Sequence, residues 1–427
     1  MNLPSDFIER MRNIPDFDIE SFLHSYNFPP LAGIRINPMK EKADYLFEKE
    51  FGIKEKTPWC EYGYYVNKED IKGTHPYHLA GMFYFQEPSA MCVAEMLPLE
   101  DGDFVLDLCA APGGKSTQLA ARNRNITLVS NEIIPKRARV LSENVERLGF
   151  SNVIVTNESP EQLENHFQRF FDKIVIDAPC SGEGMFKKEP AAIEAWSTEH
   201  VSACATRQRK IIDSALKMLK QGGAIVYSTC TFSEEENEAN VDYIINNYPW
   251  MELVKMTKLY PHTCKGEGHF AALLRDSRCK NLVKNNSINS SKIKKEIDLF
   301  KKFEDEFLNT NLNGEFVLFG ENIYLKPNGV NIDGIKVVRP GLHLGVCKKG
   351  RFEPSHALAK ALRASDIKNT LNFSLNDNNL YKYLKGETLE GDFTGYGVIT
   401  CDCLPVGWFK GSEGILKNKF PKGLRMF

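Results

Sequence analysis

None of the eleven cysteines stands in a CxxC pair, and the opening "MNLPSDFIERMRNIPDF" carries no apolar targeting core. The expectation is therefore reduced thiols in a cytoplasmic protein, not a disulfide framework. "CDC" at Cys401–Cys403 has no companion ligands nearby, so no metal site is expected. No apolar run reaches about 18 residues, which excludes a membrane-spanning helix. A formal net charge of -2 excludes a uniformly basic surface, so any nucleic-acid contact has to be a local patch. There is no internal repeat. GxGxxG is missing, and so is GxxxxGK[ST], although "GGKST" superficially resembles its end. The (N/D)PP(Y/F) signature of amino-group methyl transfer is missing too: "DAPC" offers no stacking aromatic.

What is present is a chain of 427 residues, 42% hydrophobic and 26% charged, long enough for two or three domains. Residues 1–75 read as a small N-terminal α+β unit. "GMFYFQEPSAMCVAEML" then ends in an amphipathic helix, with Ser89 as its expected N-cap. Residues 76–277 alternate strand and helix: "FVLDLC", "ITLVSNE", "NVIVTN", "FDKIVIDAP" and "AIVYSTC" are strands separated by helical stretches. Their β-branched, apolar content predicts an α/β domain with a parallel sheet covered on both faces. Residues 278–296, rich in Lys, Asn and Ser, read as a basic linker, and 297–427 as one or two β-rich modules.

Chemistry gathers at strand ends. "LDLCAAPGGKSTQLA" puts Gly113 and Gly114 between a strand and a helix, where backbone can approach a ligand closely. Glu132 ends the next strand, where an acid can accept from ribose hydroxyls. Asp177 and Cys180 close "FDKIVIDAPC", and Cys230 closes "AIVYSTC". Adjacent parallel strands would carry both cysteines to one rim. Buried structural thiols are the bland alternative for each taken singly. With a helix expected across "SEEENE", the helix N-terminus would lower the Cys230 thiol and make it a nucleophile.

Together "LDLCAAPGGKSTQLA", "DAPCSGEGMF", "STCTFSEEENE" and "GEGHFAALLR", with "RINPMK" and "FYFQEPSAM", resemble the NOL1/NOP2/Sun (RsmB/RsmF) family of RNA cytosine-5 methyltransferases. The tail "GWFKGSEGILKNKFPKGLR" is similar to the PUA-like end of RsmF-type enzymes. The resemblance implies a class I, Rossmann-like methyltransferase domain between a small N-terminal α+β domain and a C-terminal PUA-like module. It implies S-adenosylmethionine held by Cys109, Ala110, Ala111, Pro112, Gly113, Gly114 and Lys115, with Glu132 at its ribose, Arg137 close by and Asp177 near its methyl end. It makes Cys230 the nucleophile and Cys180 the thiol that assists product release. Many relatives carry an Asp after the third strand on the adenine side; here "TNESPEQL" leaves Glu158 or Ser159 there. The implied reaction is thiolate addition at carbon 6 of cytosine, methylation at carbon 5, and a hydrogen bond from Asp177 to ring N3. The implied partner is 16S ribosomal RNA or the small subunit, bound by a monomer without metal or membrane. A transfer-RNA substrate, or a non-catalytic RNA-binding scaffold, are the alternatives.

Overall fold

The computed structural model describes residues 1–67, 69–279 and 293–426, so most of the expected basic linker lies outside the described residues. Its central sheet has eight strands: β1 (Phe104–Asp107), β2 (Thr127–Asn131), β3 (Val153–Thr156), β4 (Phe171–Asp177), β5 (Leu219–Thr229), β6 (Met251–Leu259), β7 (His269–Asp276) and β8 (Val337–Arg339). They lie in the order β8-β3-β2-β1-β4-β5-β7-β6. The middle five are parallel, and β7, β6 and β8 are antiparallel to their neighbours. Val153, Ile154 and Val155 of β3 and Ile174, Val175 and Ile176 of β4 are fully buried, as strands packed on both faces require. Helices α1 (Gly114–Arg122), α2 (Pro135–Leu148), α3 (Pro160–His166), α4 (Thr198–Met218) and α5 (Glu238–Asn247) connect and flank them. Pro135 opens α2, where a missing N–H costs nothing, and Gly149 (φ 82) ends it.

Two local expectations are corrected. Ser89 is not a cap: its hydroxyl donates to Glu87, and the helix Met91–Met96 has no side-chain cap. Residues 233–237 of "SEEENE" are not helical: they turn, with Asn237 Nδ2 donating to Thr231 O (2.9 Å), and α5 begins only at Glu238. The helix-dipole argument for Cys230 therefore fails.

At the N-terminus, strands Ala32–Ile36, Gly63–Val66 and Phe83–Phe85 form an antiparallel sheet. Before it, helices Ser5–Arg12 and Ile19–Ser25 bury Phe7 and Phe22 against Phe186, Trp196 and Phe232, covering the loops that carry Cys180 and Cys230. The C-terminal region holds a four-stranded antiparallel sheet over 315–354 and a mixed five-stranded sheet over 370–418. It also lends β8 to the central sheet, so that strand's sequence neighbours and its partners belong to different layers.

Candidate active site

The loop Cys109–Lys115 runs from β1 into α1 across the carboxyl end of β2. It is held by Ala110 N donating to Asn131 O (2.8 Å), Arg137 Nη2 to Ala111 O (2.8 Å) and Asn144 Nδ2 to Pro112 O (2.9 Å). Gly113 has φ 113, a conformation that a side chain would strain. The N-terminal unit reaches this loop too, because buried Arg35 donates to Gly114 O (3.2 Å) and Thr117 Oγ1 (2.7 Å). Burial pushes the Cys109 thiol up.

Three acids line the strand ends. Asp107, which sequence reasoning missed, is wholly buried. It accepts from Ser116 Oγ (2.6 Å) through Oδ2, and its Oδ1 has no hydrogen-bond partner among the described residues. Burial pushes this carboxyl up to about 7 against the Ser116 hydrogen bond. Glu132 accepts from Ile134 N (2.9 Å) and pairs with Arg137 (3.3 Å), so Arg137 braces the acid and the loop together. Of the two residues left open after β3, Ser159 is occupied capping α3, accepting from Gln162 N (3.3 Å). Glu158 is buried; its Oε1 accepts from Lys336 N (2.7 Å) and its Oε2 has no hydrogen-bond partner among the described residues.

β4 and β5 are in parallel register with Asp177 opposite Ser228, which sets the next residues of both strands side by side. The Cys180 and Cys230 Sγ atoms are 3.3 Å apart. The hydrogen bond to the Cys230 sulfur, with burial, pushes the Cys180 thiol well above its ordinary value. Asp177 accepts from Lys115 Nζ (2.6 Å) and Ser228 Oγ (2.9 Å), and His269 Nε2 stands 3.5 Å from it. Burial would raise this carboxyl, but the Lys115 charge and the His269 and Lys115 contacts outweigh it and hold Asp177 well below the usual range. Lys115, expected in the cofactor loop, is thus also the ion-pair partner of Asp177. His269 was also missed. Its only sequence signal is its place in "GEGHFAALLR", at the start of a strand antiparallel to β5.

These residues fit S-adenosylmethionine. The glycine turn admits a ligand against backbone, and the unpartnered oxygens of Asp107 and Glu158, with Glu132 between their strands, suit a ligand rich in hydroxyl and amino donors.

The chain matches four family descriptions in sequence: N-terminal domain of 16S rRNA methyltransferase RsmF (residues 3–88), 16S rRNA methyltransferase RsmB/F (94–275), RsmF rRNA methyltransferase first C-terminal domain (302–362) and methyltransferase RsmF PUA domain (370–426). It is 31% identical to ribosomal RNA small subunit methyltransferase F of Shigella dysenteriae serotype 1, covering 99% of this chain and 96% of the relative. The relative of the same name from Aliivibrio fischeri is 30% identical, covering 99% and 97%. Among solved structures, a methyltransferase homolog protein from Pyrococcus horikoshii superposes with a TM-score of 0.57 at 27% identity, covering 64% of this chain and 95% of that one. NSun6 from Pyrococcus horikoshii, solved with SFG, shares the fold at a TM-score of 0.56 and 22% identity, covering 65% and 99%. Likeness that runs through every domain in the same order makes this chain a member of the RsmB/RsmF family of S-adenosylmethionine-dependent, Sun-type RNA methyltransferases.

Proposed function

We propose that the protein methylates carbon 5 of a cytosine in 16S ribosomal RNA, through a covalent adduct between Cys230 and carbon 6. The observation that carries this reading is the pair of thiols in contact at 3.3 Å beside an ionised Asp177 on the rim of the sheet. Carbon 5 of cytosine is a poor nucleophile, and thiolate addition at carbon 6 makes it one. The Cys180 thiol, pushed well above its ordinary value by the hydrogen bond to the Cys230 sulfur and by burial, can donate to that sulfur as it leaves carbon 6. S-adenosylmethionine, in the loop Cys109–Lys115 with Glu132, Arg137 and Glu158 around its nucleoside, supplies the electrophilic methyl group. A base then takes the carbon 5 proton, the ring double bond re-forms, and the sulfur–carbon 6 bond breaks with its electron pair returning to Cys230.

As an ionised carboxylate Asp177 accepts hydrogen bonds, so the cytosine group it suits is the exocyclic amine. The donor for ring N3 is then Lys115, bonded to the same carboxylate. The target base has to be single-stranded or flipped to reach this rim. The N-terminal unit over 1–75 and the β-rich region over 297–427 are assigned as RNA grips on the catalytic domain over 76–277, in a cytoplasmic, monomeric enzyme. The 16S target follows the names of the relatives.

The test incubates enzyme, RNA and S-adenosylmethionine and resolves covalent protein–RNA species on denaturing gels. Cys180→Ala is expected to accumulate adduct, and Cys230→Ala to abolish adduct and methylation; full activity in Cys230→Ala sinks the assignment. Bisulfite sequencing of RNA from cells with and without the gene names the substrate. A change confined to transfer RNA would redirect it, and no change at all would reject the cytosine-5 chemistry.

A further inference from the structure

Beyond the ends of β4 and β5 the two cysteine loops are joined by more than the sheet. Phe232 N donates to Glu183 Oε2 (2.8 Å), and Trp196 Nε1 to Glu183 Oε1 (2.9 Å). Gly184 N donates to Cys230 O (2.8 Å). On the other side Glu236, from the Cys230 loop, accepts from both Ser181 N (3.0 Å) and Ser181 Oγ. Gln208 Nε2 of α4 donates to the same carboxylate (2.7 Å) and to Pro179 O (3.0 Å). Two buried acids, Glu183 and Glu236, therefore tie the Cys180 loop to the Cys230 loop.

Glu236 is fully buried, and every donor the structure gives its carboxylate is neutral. A buried carboxylate without a cation is a costly way to hold a loop, and an apolar residue of similar size would fill the space without that cost. What the acid adds is two acceptors aimed at the residue next to Cys180. Its hydrogen bonds among the described residues go to Ser181 and Gln208, whereas the Cys230 carbonyl accepts from Gly184 N.

We propose that Glu236 is the positioning residue for Cys180, and that the step it serves is release of methylated RNA, not attack by Cys230. This rests on the covalent reading above. In release, the bond between the Cys230 sulfur and carbon 6 breaks and its electron pair stays on sulfur, while a base takes the carbon 5 proton. A thiol held in contact with that sulfur donates a hydrogen bond to the departing thiolate. If the Cys180 loop drifts, that donor is lost while the attacking atom stays in place.

The experiment compares wild type, Glu236→Ala, Ser181→Ala and Cys180→Ala for three quantities: single-turnover adduct formation, steady-state turnover, and the fraction of enzyme held as adduct. Glu236→Ala is expected to form adduct within about threefold of the wild-type rate while turnover falls at least roughly tenfold and adduct accumulates. Ser181→Ala, which loses the hydroxyl bonds to Glu236 and to Thr231 Oγ1 but keeps the backbone bond to Glu236, is expected to lie between wild type and Glu236→Ala. Adduct formation and turnover falling in parallel, or turnover falling without accumulation, would overturn the assignment. If Glu236→Ala does not fold, Ser181→Ala and Glu236→Gln carry the same comparison, and Gln, keeping one acceptor, is expected to retain part of the turnover. Absence of adduct in Cys180→Ala removes the covalent reading and this proposal with it. Adduct there but none accumulating in Glu236→Ala removes this proposal alone.

Discussion

Asp107 carries its proton to an unusually high pH for an aspartate because burial at the end of β1 outweighs the Ser116 hydroxyl. Between the ordinary aspartate range and about 7 the folded protein keeps a proton here that the unfolded chain has released. The unfolded state then binds fewer protons, so stability contributed at this residue falls as pH rises through that window. The thermal midpoint of wild type relative to Asp107→Asn is expected to fall as pH rises from 5 to about 7, and an unchanged difference between the two would reject the assignment. The Lys115–Asp177 pair gives a second prediction. Lys115→Met removes the first charge that keeps Asp177 ionised and the proposed N3 donor, and is expected to lower methyl transfer roughly a hundredfold. If RNA affinity falls and single-turnover rate does not, Lys115 is a binding residue only. His269→Asn tests the imidazole beside Asp177; a shift in the pH–rate profile is the expected result, and an unchanged profile would leave His269 as packing.

The elements meet with little tolerance at the two cysteine loops. A side-chain carbon on Gly184 would lie 3.0 Å from Cys230 O and 3.1 Å from Gly268 O, both backbone atoms that cannot rotate away. Gly184→Ala is therefore expected to push the loops apart, costing about 1–3 kcal/mol and a large part of the activity. Denaturation and adduct assays on the same sample check this, and wild-type rates with normal stability would show that the loops yield without consequence. The same close fit explains why the pattern of strands and helices could be read from apolar periodicity while the stretch after Cys230 could not. A helix over "SEEENE" satisfies local propensity, but Ser181, Phe232 N and Gln208 supply partners for Glu183 and Glu236 only when residues 231–237 turn. Tertiary hydrogen bonds override propensity there.

Across the whole molecule, buried lysines join the layers. Lys360 Nζ donates to Leu79 O (2.7 Å) and Pro405 O (3.0 Å), and Lys40 Nζ donates to Lys360 O (2.5 Å). Burial pushes Lys40 down to about 8 and Lys360 well below its ordinary value, and both amines act as donors to carbonyls. Lys360→Met leaves two carbonyls without a donor and is expected to destabilise the junction by on the order of 2 kcal/mol. Limited proteolysis releasing C-terminal fragments earlier than from wild type is the check; unchanged cleavage would show that the apolar contacts suffice.

By itself the sequence determined the α/β sheet, the glycine turn after β1 and the presence of two cysteines at strand ends. These follow from local periodicity and from the rule that parallel strands present their carboxyl ends on one rim. Only the tertiary structure decided that Lys115, Ser228 and His269 converge on Asp177, that the thiols touch, and that Glu183 and Glu236 tie the two cysteine loops together. Each of those contacts joins residues far apart in the chain, and their distances are set by how helices and loops pack over the sheet, which periodicity does not encode.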